Sequence, residues 1–233
     1  MCESSIVQDR FCAIKCYTML EGIYSFTWVN SNYYNIVNLG SLYQCGYDYD
    51  TGDGSIRNYG GDITLISTNI TNTRCLWGAC YYCFGDPVNI NLCCFISNDN
   101  HKEGPSCMYH DQTLISFIKK SIIKNNSVKI DNDYRGLLHC FDSSIIVSEC
   151  IFLQNNVNYV FTAEFGSITV INCTVDNFTA TNYERALVNT DQMKTDPFNI
   201  TFTHISLGEC DIDPLFILGQ TSKINQNKNS RRR

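Results

Sequence analysis

An eleven-residue frame recurs along the chain and constrains its fold more than any other feature. Seven windows superimpose without gaps, at 26–36, 63–73, 88–98, 116–126, 145–155, 168–178 and 198–208. The third position is always apolar (Trp28, Leu65, Ile90, Ile118, Val147, Val170, Ile200). So is the eighth (Tyr33, Ile70, Phe95, Ile123, Phe152, Val175, Ile205). The sixth is always small and weakly polar (Ser31, Thr68, Cys93, Ser121, Cys150, Cys173, Thr203). Only the first position has a defect, at Ser116.

This spacing does not follow the 3.6-residue period of a helix, and Val, Ile, Thr, Asn and Tyr dominate the windows. It fits two short β-segments, each alternating in and out, joined by a bend between the third and sixth positions. A third apolar run lies between windows, at 80–84, 108–109, 137–138, 159–161, 186–188 and 215–218. Asparagine stands at the tenth or eleventh position in six windows (Asn35, Asn72, Asn98, Asn126, Asn155, Asn177). It tolerates a left-handed corner, and stacked on its equivalents it can bond along a ladder. One circuit cannot bury its apolar positions alone, whereas stacked circuits make a continuous core. The sequence therefore predicts an all-β parallel β-helix, a solenoid of about seven to eight coils. A β-sandwich has no reason to keep a register this long. One domain is expected over 1–222, with atypical ends, followed by a basic, polar, disordered tail over 223–233.

The apolar-x-apolar-x-x-Cys/Ser/Thr-x-apolar-x-Asn frame resembles the right-handed parallel β-helix, or pectin-lyase-like, repeat families. It is similar in particular to the Asn- and Cys-rich surface-type β-helix proteins of parasitic protists, over roughly 11–218. The resemblance implies a right-handed coil and an exposed location. No secretory signal pattern opens the sequence and no apolar run of about 18 residues occurs, so no membrane span is expected. An extracellular or cell-surface location is expected if the chain is a fragment of a larger protein.

Charge narrows the partners. The net charge is −6, and 223–233 hold five of the 17 basic residues and no acid, leaving a markedly acidic body. Nucleic acid needs a positive face and is excluded as a partner. Enzymes similar in fold use calcium with an Arg or Lys base, or paired Asp residues with a Gly-His-Gly element. This chain has no Gly-His-Gly and no Asp-Asp pair. His110 and His139 each lie six residues before a window, which predicts that they stack in adjacent circuits, with Asp111 and Cys140 one residue later, Cys83 at that register one circuit earlier, and Asp142 on the same face. His110, His139, Asp111 and Asp142 are the candidates for acid–base work. Asp86, Asp111, Asp142 and Glu164 recur before successive windows as corner charges, and the 48–54 loop departs from a calcium-binding pattern at its third acid and at Tyr59. Cys80-Tyr-Tyr-Cys83 lacks the second pair of a zinc site, so no metal and no cofactor is expected. The sixth-position thiols read as small buried hydrophobes, and Cys150 and Cys173, in consecutive circuits, are close enough for a disulfide.

Glycosylation acceptors occur at Asn69, Asn125, Asn172, Asn177 and Asn199. The function expected is a non-catalytic scaffold for surface adhesion or recognition, with a glycan or protein surface as ligand. The alternative is a divergent carbohydrate-active enzyme, of lyase or glycoside hydrolase type, working through the His110, His139, Asp111 and Asp142 face.

Overall fold

The computed structural model describes residues 3–16, 23–46, 54–75, 80–85, 87–100, 107–128 and 135–202. Every regular element among them is a β-strand, and the strands form a parallel β-solenoid. The first sheet holds eight strands: Ile6–Asp9, Tyr34–Asn38, Asp62–Ile66, Val88–Asn91, Ser116–Lys119, Ser144–Ser148, Ser167–Ile171 and Leu187–Asp191. The second holds seven: Cys12–Ile14, Ser41–Tyr43, Asn69–Thr71, Cys94–Ile96, Ile122–Lys124, Ile151–Leu153 and Thr174–Val175. The third also holds seven: Ile23–Trp28, Gly54–Tyr59, Tyr81–Phe84, Met108–Asp111, Leu138–Phe141, Phe161–Glu164 and Ala180–Tyr183. Three two-residue strands, Arg74–Cys75, Asp99–Asn100 and Ser127–Val128, make a small fourth sheet. The chain visits the sheets in rotation, so each strand pairs with its equivalent one circuit away.

The core consists of columns. Val37, Leu65, Ile90, Ile118, Val147 and Val170 pair in register, one on the next, and all are buried. In the second sheet Leu42, Ile70, Phe95, Ile123 and Phe152 do the same, and in the third Ile56, Tyr81, Met108, Leu138 and Phe161. Each such side chain contributes about 1.5–3 kcal/mol by leaving water, set against the ordering of the chain. A single circuit could not gain this, because its apolar residues find their partners only above and below.

The sixth position of the frame proves to be a corner clamp. The residue before it has a left-handed backbone in circuit after circuit: Leu39, Ser67, Leu92, Lys120, Glu149 and Asn172, with φ between 47° and 56°. Such a conformation costs a non-glycine residue roughly 1–2 kcal/mol. It is held by the backbone, since each of these N–H groups donates to a carbonyl one circuit on, as Ser67 does to Asn91 at 3.0 Å and Glu149 to Ile171 at 3.1 Å. The sixth-position side chain then donates back two residues: Thr68 to Ile66 O, Cys93 to Asn91 O, Ser121 to Lys119 O, Cys150 to Ser148 O and Cys173 to Ile171 O. Only a small donor fits there, which explains the choice of Ser, Thr and Cys.

Asparagine has two roles. Asn72 and Asn125 take the left-handed corner after the second sheet, but Ser97 and Gln154 take it equally well. Asn98, Asn126 and Asn155 instead form an interior ladder. Asn126 Nδ2 donates to Phe95 O (2.9 Å) and Asn155 Oδ1 (3.0 Å), and Thr73 occupies the first rung against Asn98 Oδ1.

The first and last windows of the sequence frame are corrected. Ile63 pairs with Asn35, so the true second circuit of the frame begins at Asn35, not Phe26. Trp28 lies on the outside of the third sheet and is 46% exposed. Asn35 hides the register because it is a polar residue turned inward, satisfied by Thr27 Oγ1 and Asn58 Nδ2. At the other end Val170 pairs with Thr190, not Ile200, in the strand Leu187–Asp191. Its exposed polar residues suit a circuit with no further strand beside it among the described residues. The 186–188 run accordingly belongs to this strand of the first sheet, and the matching third-sheet strand is Ala180–Tyr183. The 48–53 part of the acidic loop, Asp86, the 203–208 end of the last window, the 215–218 run and the 223–233 tail lie outside the described residues.

Candidate binding face

Alternation along the third sheet turns half of its residues outward, and register stacks them into two columns. In one, Phe26, Arg57, Tyr82, Tyr109, His139, Thr162 and Thr181 follow one another, although His139 and Thr162 are buried. In the other, Trp28, Tyr59 and Phe84 stack at one end, and Asp111, Phe141, Glu164 and Tyr183 at the other. The rings touch across circuits. Tyr59 lies 5.5 Å from Phe26, 6.2 Å from Trp28, 5.4 Å from Tyr82 and 5.8 Å from Phe84, centroid to centroid. Tyr82 continues to Tyr109 at 5.0 Å, and Tyr109 to His139 at 4.9 Å. The row crosses five strands, or about 19 Å at the usual strand spacing.

Polar groups are set among the rings. The Arg57 guanidinium lies over Tyr82, 5.1 Å from its centroid. The Tyr82 hydroxyl donates to the Asp111 carboxylate, and burial together with this acceptor holds its phenol protonated, well above the usual range. His139 Nε2 is 3.5 Å from Glu164 Oε2. Phe26 at 51% and Phe165 at 51% project furthest, Phe165 resting edge-on against Phe141.

The four catalytic candidates do not converge. His110 pairs with Cys140 and Cys83, while His139 pairs with Tyr109, so the expected stacking of the two histidines is corrected: they lie on opposite sides of the sheet. The reason is one extra residue. Asp111 to Ser116 spans one residue more than Phe141 to Ile145, although both pairs are in register, and Leu114 bulges out of that connection at 80% exposure. His110 is fully buried, with Nδ1 3.0 Å from Ser116 Oγ and 3.3 Å from Cys83 Sγ. Burial pushes its pKa down to about 3, so it is neutral. Asp111 sits on the ring-lined face, and Asp142 is an exposed corner residue with positive φ.

The remaining candidates are also placed. Cys80 and Cys83 face different surroundings: Cys80 lies by Thr73 and Cys107, and Cys83 by His110 and the Tyr109 carbonyl. Among the described residues, no three His, Cys, Asp or Glu side chains gather in a way that could hold a metal ion. Also among these residues, no helix is long and apolar enough to cross a membrane. Of the glycosylation acceptors, Asn125, Asn177 and Asn199 are exposed and Asn172 is half-buried at a corner. Asn69 is an exception: its side chain is buried in the fold and out of reach of any modifying enzyme.

No family model, curated protein or solved structure matches the chain. Fold and face together define its class: a parallel β-solenoid with one aromatic outer wall.

Proposed function

We propose that this protein is a non-catalytic recognition module, a rigid β-helix whose ring-lined wall takes an extended ligand, a glycan or a protein surface, in adhesion or a related contact. The observation that carries this reading is the row from Phe26 and Trp28 through Tyr59 and Tyr82 to Tyr109, which ends on the buried His139. Aromatic side chains supply large contact area with little entropy loss, and Tyr adds a polar tip; a patch of them left at the surface is a feature of interaction sites. Arg57, Asp111 and Glu164 add charge of both signs along the same wall, which gives a ligand direction and register. The likeness of the frame to surface-type β-helix proteins is consistent with an extracellular or cell-surface setting. The enzyme alternative has less support, because His110 is sealed in the interior and the two histidines do not share a face.

The test is binding of the full chain to a glycan array and to a display library of folded domains, repeated with a Phe26→Ala/Trp28→Ala variant and with Arg57→Ala. Loss of a wild-type ligand by ten-fold or more in the variants, with circular dichroism unchanged, supports the face. Ligands bound equally well by all three proteins, or turnover of any glycan, overturn the reading.

A further inference from the structure

Among the described residues Cys12 is disulfide-bonded and eleven other cysteines are free thiols. Two of these, Cys150 and Cys173, occupy the same clamp position in consecutive circuits, each just before the register pair Ile151 and Thr174. Equivalent residues of neighbouring parallel strands have Cα atoms about 4.8 Å apart, inside the span of about 4.4–6.8 Å that a disulfide bridges. Their side chains turn toward the same corner: the Cys150 backbone N–H donates to Cys173 Sγ at 3.3 Å. The pair is also isolated from other thiols in its column, with Ser121 one circuit before Cys150 and Met193 one circuit after Cys173.

We propose that Cys150 and Cys173 form a redox-responsive cross-link site, closed into a disulfide by a small-molecule disulfide such as oxidised glutathione. The Cys173 thiolate attacks one glutathione sulfur, the glutathione S–S bond breaks, and one glutathione leaves and takes up a proton. Cys150 then loses its proton and attacks the Cys173 sulfur of the mixed disulfide, releasing the second glutathione. Two protein thiols are oxidised, and one glutathione disulfide is reduced to two thiols.

The chemistry favours this pair over its neighbours. Burial pushes the Cys93, Cys94 and Cys140 thiols up to about 12, which makes them inert. Cys173 moves the other way, because the Cys150 thiol hydrogen-bonds its sulfur and stabilises the thiolate. Both side chains are buried, and among the described residues only the exposed strand Leu187–Asp191 and the Met193 corner lie beyond them. Circuits with few buried contacts open at lower free energy than well-packed ones, so the exposed Leu187–Asp191 side is where a small oxidant gains entry. The bond would close a loop between residues 23 apart, which stabilises chiefly by limiting the unfolded chain.

The experiment compares the full chain equilibrated in oxidised and in reduced glutathione, with peptide mapping under non-reducing conditions and thermal unfolding. The expected result is a Cys150–Cys173 linked peptide in the oxidised sample and a Tm higher by roughly 5–10 °C. Cys173→Ser abolishes both the peptide and the shift while folding normally, since Ser121 fills the same position two circuits earlier. Cys150→Ser, run beside it, does the same by removing the other sulfur. Two free thiols at these positions after equilibration, a link to a different cysteine, or a thermal shift that persists in either variant would overturn the proposal.

Discussion

The side-chain oxygen of Asn126 accepts two hydrogen bonds from Asn98, one from its backbone nitrogen and one from its amide, both at 3.0 Å. A single interior side chain thus holds the preceding circuit by main chain and side chain at once. Asn126 in turn donates to Phe95 and Asn155. Replacing it by Ala takes the acceptor from the buried Asn98 N–H and one donor from the Phe95 carbonyl, and each buried group left unsatisfied costs about 1–3 kcal/mol. Asn126→Ala is therefore expected to lose about 3 kcal/mol in urea unfolding, and Asn155→Ala, at the half-buried end of the ladder, about 1 kcal/mol. Equal losses would show that the rungs do not act as interior brackets.

His110 makes stability depend on acid. Its folded pKa, pushed down to about 3, lies below the ordinary value of 6.5. The unfolded chain therefore binds the proton more readily. Nothing is lost above pH 6.5; below it, stability falls by about 1.4 kcal/mol per pH unit until the folded value is approached. Chemical denaturation between pH 7 and pH 4 should show this slope, and His110→Gln should flatten it. A slope unchanged in the variant would assign the acid sensitivity elsewhere.

Leu114 is the residue that shifts the two histidines out of step. Removing it gives its connection the length found one circuit later, and its side chain touches little. The deletion is expected to cost less than about 1 kcal/mol. Deleting Thr113 instead removes bonds to Ser116 and Ser143, both buried, and is expected to cost about 2–3 kcal/mol. Thermal melts of the two deletions should separate by several degrees.

Gly166 leaves no room for a side chain. A Cβ there would lie 2.0 Å from the Ser143 carbonyl oxygen and 2.8 Å from its nitrogen, both backbone atoms that cannot swing away. Gly166→Ala is expected to destabilise by roughly 2–4 kcal/mol, at the upper end of overpacking costs. A variant that melts with the wild type would mean that the corner yields.

Much of this fold was legible between residues 63 and 178, because five successive circuits carry apolar residues at the same frame positions and a donor at the clamp. It failed at the ends for a physical reason. Asn35 enters the core as a satisfied polar group and Thr190 belongs to an exposed strand, so neither carries the apolar mark that the frame seeks. The aromatic wall was illegible for a different reason. Tyr59, Tyr82 and Tyr109 are separated by 23 and 27 residues of chain, and the connections between them vary in length, so only three-dimensional register reveals the row. The same variability defeated the pairing inferred for His110 and His139, which relied on counting residues through the Leu114 bulge. Asn69 shows the converse problem: a glycosylation motif is local, whereas burial is not.

From the first sheet to the second, the inward positions are always seven residues apart: Asn35 to Leu42, Ile63 to Ile70, Val88 to Phe95, Ser116 to Ile123, Ile145 to Phe152. Length varies mainly elsewhere, on the way into the third sheet. The molecule is thus built as a fixed spine with a variable margin, and foreign segments grafted along that margin would leave the spine's geometry untouched while changing what borders the aromatic wall.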